Sequence, residues 1–166
     1  MTSETAASVV ELKQDGDVLL VTINNPPVNA LGAAVRQGLA AAMEQADASA
    51  EVKAVLIVGQ GKAFIAGADI REFGKPPVAP FLPDVCNRIE ACSKPVVAVI
   101  HGAALGGGLE IAMAAHYRLA LPAAKLGLPE VSLGLIPGAG GTQRAPRLMG
   151  VKAAAELMLN GKTLNA

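Results

Sequence analysis

The chain has 166 residues, enough for one domain that buries roughly two-thirds of its unfolded surface. More than half of them, 52%, are apolar and only 17% are charged, which excludes a disordered chain. Fourteen basic and fourteen acidic residues cancel, so no net field draws the chain to nucleic acid or to an anionic membrane.

The first eight residues are small and polar and are expected to fray, leaving 9–166 as a single folded unit without linker or internal repeat. Val9 to Leu12 and Val18 to Ile23 read as strands joined at Gln14-Asp15-Gly16-Asp17, whose Asp-Gly pair is a hairpin signal. Leu31 to Ala46 carries apolar residues at helical spacing, and Ala54 to Val58 is an apolar run of the sort buried on both faces of a sheet. Gly59 to Asp69 reads as a loop and Asp84 to Cys92 as a helix. Then the order repeats: strand Val96 to Ile100, a glycine-rich connection Gly102 to Gly108, helix Leu109 to His116, and a strand over Tyr117 to Leu121. Helices follow over Thr142 to Leu148 and Lys152 to Leu159, and a new helix is expected to begin at Leu164-Asn165-Ala166. Alternating strands and helices predict α/β layers, with sites at the strand-to-helix loops.

Several chemistries find no footing. Cys86 and Cys92 lie six residues apart, on different faces of one helix, and read as small buried side chains. With only His101 and His116 besides, nothing has metal-ligand spacing, and no metal is expected. The N-terminus has neither a basic nor an apolar signal region, and the longest uncharged apolar stretch, Pro95 to Leu109, is short for a membrane span. A cytoplasmic, reducing location with no membrane and no nucleic-acid partner is the expectation. Gly59-Gln60-Gly61-Lys62 is followed by Ala63, so it lacks the hydroxyl of a P-loop, and no glycine stretch has the dinucleotide-binding spacing in context.

Three segments carry candidate chemistry. In Val96-Val97-Ala98-Val99-Ile100-His101-Gly102-Ala103-Ala104-Leu105-Gly106-Gly107-Gly108-Leu109-Glu110, consecutive glycines expose backbone N–H groups where a helix begins, a place that favours developing negative charge. Read alone, those glycines equally permit tight helix–sheet packing, and Glu110 is equally an ordinary acid of a first helical turn. Gly61-Lys62-Ala63-Phe64-Ile65-Ala66-Gly67-Ala68-Asp69-Ile70 admits a ligand close to the backbone, although it also reads as a plain connection. In Gly127-Leu128-Pro129-Glu130, an acid stands among Leu126, Leu128, Val131 and Leu133, and Gly134 to Gln143 follows. Burial would raise its pKa toward the working range of an acid/base catalyst; the bland alternative is a helix-start glutamate after Pro129.

Together, in order and at compatible spacing, the three segments resemble the crotonase superfamily, the enoyl-CoA hydratase/isomerase proteins. The resemblance runs from about Val18 to the C-terminus. The wording at Gly127-Leu128-Pro129-Glu130 is similar to the N-terminal hydratase/isomerase part of bifunctional fatty-acid β-oxidation enzymes. The resemblance implies an α/β fold built as a ββα superhelix, with the family's C-terminal helices absent from this chain. It implies an oxyanion hole from the N–H groups of Ala68 and Gly107, and catalytic acids at Glu110 and Glu130. Substrate contacts fall at Ala66, Gly67, Asp69, Gly106 and Gly138, with Ala66 on the adenine side of coenzyme A and Gly138 positioning a water.

No cofactor is implied, because coenzyme A belongs to the substrate, an acyl-CoA thioester. A trimer-based homo-oligomer or a larger bifunctional chain is the implied setting. Two acids suit water addition better than isomerisation, for which family members often keep only the counterpart of Glu130. A Δ3,Δ2-enoyl-CoA isomerase, another crotonase reaction and an inactive acyl-CoA binding or assembly module stay open as alternatives.

Overall fold

A computed structural model describes residues 8–166; residues 1–7, most of the segment expected to fray, lie outside the described residues. The hairpin forms as the Asp-Gly signal requires. Strands β1 (Val10–Asp15) and β2 (Val18–Ile23) pair antiparallel around a two-residue turn, with Gly16 at φ 60°. Helix α1 (Ala33–Ala48) packs its buried stripe, Val35, Leu39, Ala42, Met43 and Ala46, over this hairpin.

A three-fold sequence of moves follows. Strand β3 (Ala54–Gly59) lies in a first sheet, the chain crosses to β4 (Ala63–Ile65) in a second, and α2 (Leu82–Glu90) closes the unit. Strand β5 (Val96–Ile100) again joins the first sheet, β6 (Ala103–Leu105) the second, and α3 (Gly107–Ala114) follows. Strand β7 (Tyr117–Ala120) and β8 (Lys125–Gly127) repeat the crossing, and a 3-10 turn, Pro129–Leu133, takes the helix position. The first sheet runs β1-β2-β3-β5-β7, parallel after its opening hairpin. The second holds β4, β6 and β8 in parallel. This is the ββα superhelix that the resemblance implied. Helices α4 (Gly141–Met149) and α5 (Val151–Asn160) complete the helical elements, and none of the described helices is long and apolar enough to cross a membrane.

Four expectations are corrected. The Gly59 to Asp69 stretch contains β4 and the Gly102 to Gly108 connection contains β6; each is only three residues long. The chain end is not a helix start. Thr163–Asn165 forms β9, antiparallel to β8, because left-handed Gly161 terminates α5 and the open edge of β8 supplies hydrogen-bonding partners. Strand β3 is fully buried on one face only, at Val55 and Ile57, while Ala54, Leu56 and Val58 are half-covered.

Candidate active site

Helix α3 is buried along its whole length, and Glu110 is its one charged residue, 2% exposed. Burying a carboxylate costs several kcal/mol, on the order of its lost hydration, unless hydrogen bonds replace water. Two do: the backbone N–H groups of Ala139 and Gly141 each donate to Glu110 Oε1 at 2.8 Å. The loop leading into α4 is thus folded around one oxygen of this acid. Gly141 has to be glycine there, since a Cβ would lie 2.9 Å from that oxygen and 2.8 Å from Pro137.

Glu130 sits in the 3-10 turn after Pro129 and is held differently. Its Oε2 is buried and has no hydrogen-bond partner, an exception among buried polar atoms that calls for a proton or a ligand. Burial raises the pKa of both carboxyls above the ordinary 4.5. For Glu110 the two backbone donors and the charge of Arg144 pull against that rise. For Glu130 the negative charge of Glu110 adds to it.

The raised values fix a sign. A carboxyl whose folded pKa exceeds its unfolded pKa favours folding while protonated, and that contribution is lost as pH rises through the window between the two. Glu130→Gln, which stays neutral, is therefore expected to have a higher Tm than the parent near pH 7, with the gap closing as pH falls toward 4.5. Thermal melts across that range check it; a Tm deficit at neutral pH would contradict it.

The glycine-rich turn divides its labour. Gly108 serves packing, for a Cβ there would lie 2.1 Å from the Ile65 carbonyl of β4. Gly106 serves the turn itself, at φ 52°, with Glu130 Oε1 only 3.2 Å from where a Cβ would stand. Gly107 is the first residue of α3, so its N–H has no partner within the helix. The packing reading of the triple glycine thus holds for Gly108, while Gly107 is left with a free N–H at the helix start.

The loop Ala66 to Ala68 lies opposite. Ala66 N–H donates to the Val28 carbonyl, Leu31 N–H to the Gly67 carbonyl, and Gly67 takes φ 111°. Among the described residues, the Ala68 N–H has no protein acceptor. Ala66, Gly67, Ala68, Gly106, Gly107, Glu110, Glu130 and Gly138 all line one cleft of about 500 Å³. The other lining residues, among them Phe73, Leu82, Leu133 and Ile136, are apolar, so the two glutamates are the cleft's ionisable groups.

Asp69 is placed outside that lining. Its carboxylate accepts from the Arg71 backbone and guanidinium, which holds its pKa down at about 2, and it caps the turn Ile70–Glu72.

Asn29 belongs to the site's support and is not marked out by the sequence. It is 2% exposed at φ 56°; its side-chain amide donates to the carbonyls of Gln60, Ala63 and Phe64, and its oxygen accepts from Asn25 N–H. The pattern Asn25-Pro26-Pro27-Val28-Asn29 signals a turn, but nothing local says which strand the second Asn will staple. Asn29→Leu strips several buried groups of partners and is expected to destabilise the fold by about 3 kcal/mol, read by urea denaturation.

Comparison with known proteins places the sequence and the fold. A family model described as enoyl-CoA hydratase/isomerase matches residues 13–166. The peroxisomal bifunctional enzyme of Danio rerio is 53% identical over 149 residues, 90% of this chain and 21% of that protein. The probable enoyl-CoA hydratase of Bacillus subtilis is 44% identical over 165 residues, covering 95% of this chain and 64% of the relative. The crystal structure of enoyl-CoA hydratase from Mycobacterium tuberculosis superposes with a TM-score of 0.90 at 36% identity, over 96% of this chain and 64% of that one. The chain thus spans less than two thirds of the length of each of these relatives. On the match across 154 of its residues (13 to 166) and on the shared fold, the chain belongs to the enoyl-CoA hydratase/isomerase family of the crotonase superfamily.

Proposed function

We propose that the domain hydrates 2-enoyl-CoA thioesters, as a step of fatty-acid β-oxidation. The supporting observation is the unequal treatment of two carboxylates in one apolar cleft: Glu110 Oε1 is doubly anchored, while Glu130 Oε2 is buried and unpartnered. The two N–H donors and the nearby Arg144 charge, which oppose the rise from burial, suit Glu110 to the part of the base. Burial raises both carboxyls, and the unpartnered Oε2 of Glu130 beside the negative charge of Glu110 suits it to the part of the acid.

The N–H groups of Ala68 and Gly107 receive the thioester oxygen as it gains enolate charge. A water, positioned by the Gly138 backbone, adds its oxygen to Cβ while Glu110 takes its proton. Glu130 delivers its own proton to Cα as the enolate collapses. The product leaves Glu110 protonated and Glu130 ionised, and exchange with solvent resets the pair. Asp69 shapes the Ala68 loop, and Ala66 and Gly67 border the coenzyme. The free, buried Cys86 and Cys92 fit a reducing compartment such as the cytoplasm. A homo-oligomer, or a longer bifunctional chain like that of the Danio relative, is the proposed setting.

Loss of the conjugated absorbance of crotonyl-CoA tests this reading. Turnover of crotonyl-CoA by the chain supports it. Turnover confined to a 3-enoyl-CoA and surviving Glu110→Gln would replace it with an isomerase. Binding of the thioester without turnover would leave a binding or assembly module.

A further inference from the structure

Arg144, on α4, reaches back under the loop that grips Glu110. Its Nη1 donates to the Ala139 carbonyl at 2.9 Å, Nη2 to Glu90 Oε2 at 2.8 Å and to Asn87 Oδ1 at 3.1 Å, and Nε to Glu90 Oε1 at 3.3 Å. The side chain is 11% exposed. Gly140, at φ 97°, leaves the space the guanidinium fills; a Cβ there would meet Nη1 at 2.2 Å. Ala139 is therefore held on both sides. Its N–H donates to Glu110 Oε1 and its carbonyl accepts from Arg144, which is in turn forked onto α2. Nothing in the proposed reaction uses Arg144 directly, yet an arginine this buried, bonded through all three of its nitrogens, fixes geometry better than a lysine does.

We propose that Arg144 is the positioning residue of Glu110: by tying the Ala139 carbonyl to Glu90 and Asn87 it holds the two N–H donors that fix Oε1, and so aims Oε2 at the reacting water. This rests on the hydratase reading for its catalytic consequence, though not for its geometry. The titratable groups facing Glu110 are Glu130 from the 3-10 turn, Arg144 from α4 with Glu90 behind it, and Cys86 from α2, whose thiol burial pushes up to about 12 and keeps neutral. Arg144 is the one cation among them, so its removal raises the Glu110 pKa as well as loosening the loop.

The test titrates Glu110 by NMR of ¹³C-labelled glutamate in the 166-residue chain, alongside the pH profile of kcat/KM for crotonyl-CoA, in the parent, Arg144→Gln and Arg144→Lys. In Arg144→Gln the Glu110 midpoint moves up and the acid limb of kcat/KM moves with it. Both variants lose about tenfold or more in kcat with KM changed by less than about twofold, because Lys keeps the charge without the fork. An unmoved Glu110 midpoint in Arg144→Gln, or a loss carried wholly by KM, overturns the proposal. Should Arg144→Gln not fold, Arg144→Lys and Glu90→Ala, which removes both acceptors of the fork at an exposed carboxylate, decide: unchanged kcat in both overturns it. A parent that does not hydrate crotonyl-CoA while its Glu110 midpoint still shifts in Arg144→Gln sinks the hydratase reading and leaves the positioning role standing.

Discussion

Glu130→Gln is expected to lower kcat/KM for crotonyl-CoA hydration about a thousandfold, and Glu110→Gln by a similar factor. Each substitution keeps side-chain size and removes one proton carrier, and general acid or base catalysis contributes roughly 10²–10⁴-fold. A thousandfold is about 4 kcal/mol of transition-state stabilisation. The substitutions should differ in what else they disturb. In Glu110→Gln the new amide still offers an oxygen to the Ala139 and Gly141 donors, so the loop stays in place. Glu130→Gln relieves a buried, unpartnered carboxylate, so that variant should be inactive and more stable near neutral pH. The double variant should lose little beyond either single one, because the carboxylates act as one unit and such losses do not add. Steady-state absorbance assays on folded protein read all three.

Gly108→Ala is expected to cost the fold at least about 4 kcal/mol, beyond the ordinary range of overpacking, because its obstacle is backbone. The new Cβ would stand 2.1 Å from the Ile65 carbonyl oxygen and 2.8 Å from its carbonyl carbon, on a helix buried on every side. Neither α3 nor β4 can retreat without opening the core between them. Gly107→Ala is the control. It meets the methyl ends of Leu82 at 2.6 Å and Leu31 at 3.0 Å, and the half-buried Leu82 side chain can turn aside. That change should cost about 1–2 kcal/mol while narrowing the cleft. Urea denaturation separates the pair, and equal effects would contradict the division of labour among the glycines.

Much of this is legible in the sequence because the deciding signals are local. Strand Val96–Ile100 can be read to the residue, since a β-branched run after Pro95 and before a glycine stretch has one reading. Each of the two acids alone reads as a helix-start residue, and they are picked out by the order of the three segments and the resemblance those carry. What escapes is non-local. Strands β4, β6 and β8 are three residues each, too short to show a period of two, and they exist because neighbouring crossings supply their partners. Strand β9 depends on a free edge that no local window contains. Asn29 staples residues more than thirty positions away, and Arg144 reaches Glu90 across a separation of 54. The sequence marks such side chains as ordinary polar residues. Only the fold shows that they hold the two walls of the cleft.

The division of roles between Glu110 and Glu130 is open to one direct measurement. Butyryl-CoA has no double bond to hydrate, so exchange of its α-protons with heavy water isolates the acid that serves Cα. NMR should show exchange with the parent chain, retained exchange with Glu110→Gln, and exchange reduced to the uncatalysed level with Glu130→Gln. The reverse pattern, exchange lost with Glu110→Gln and kept with Glu130→Gln, would contradict the assignment of base and acid.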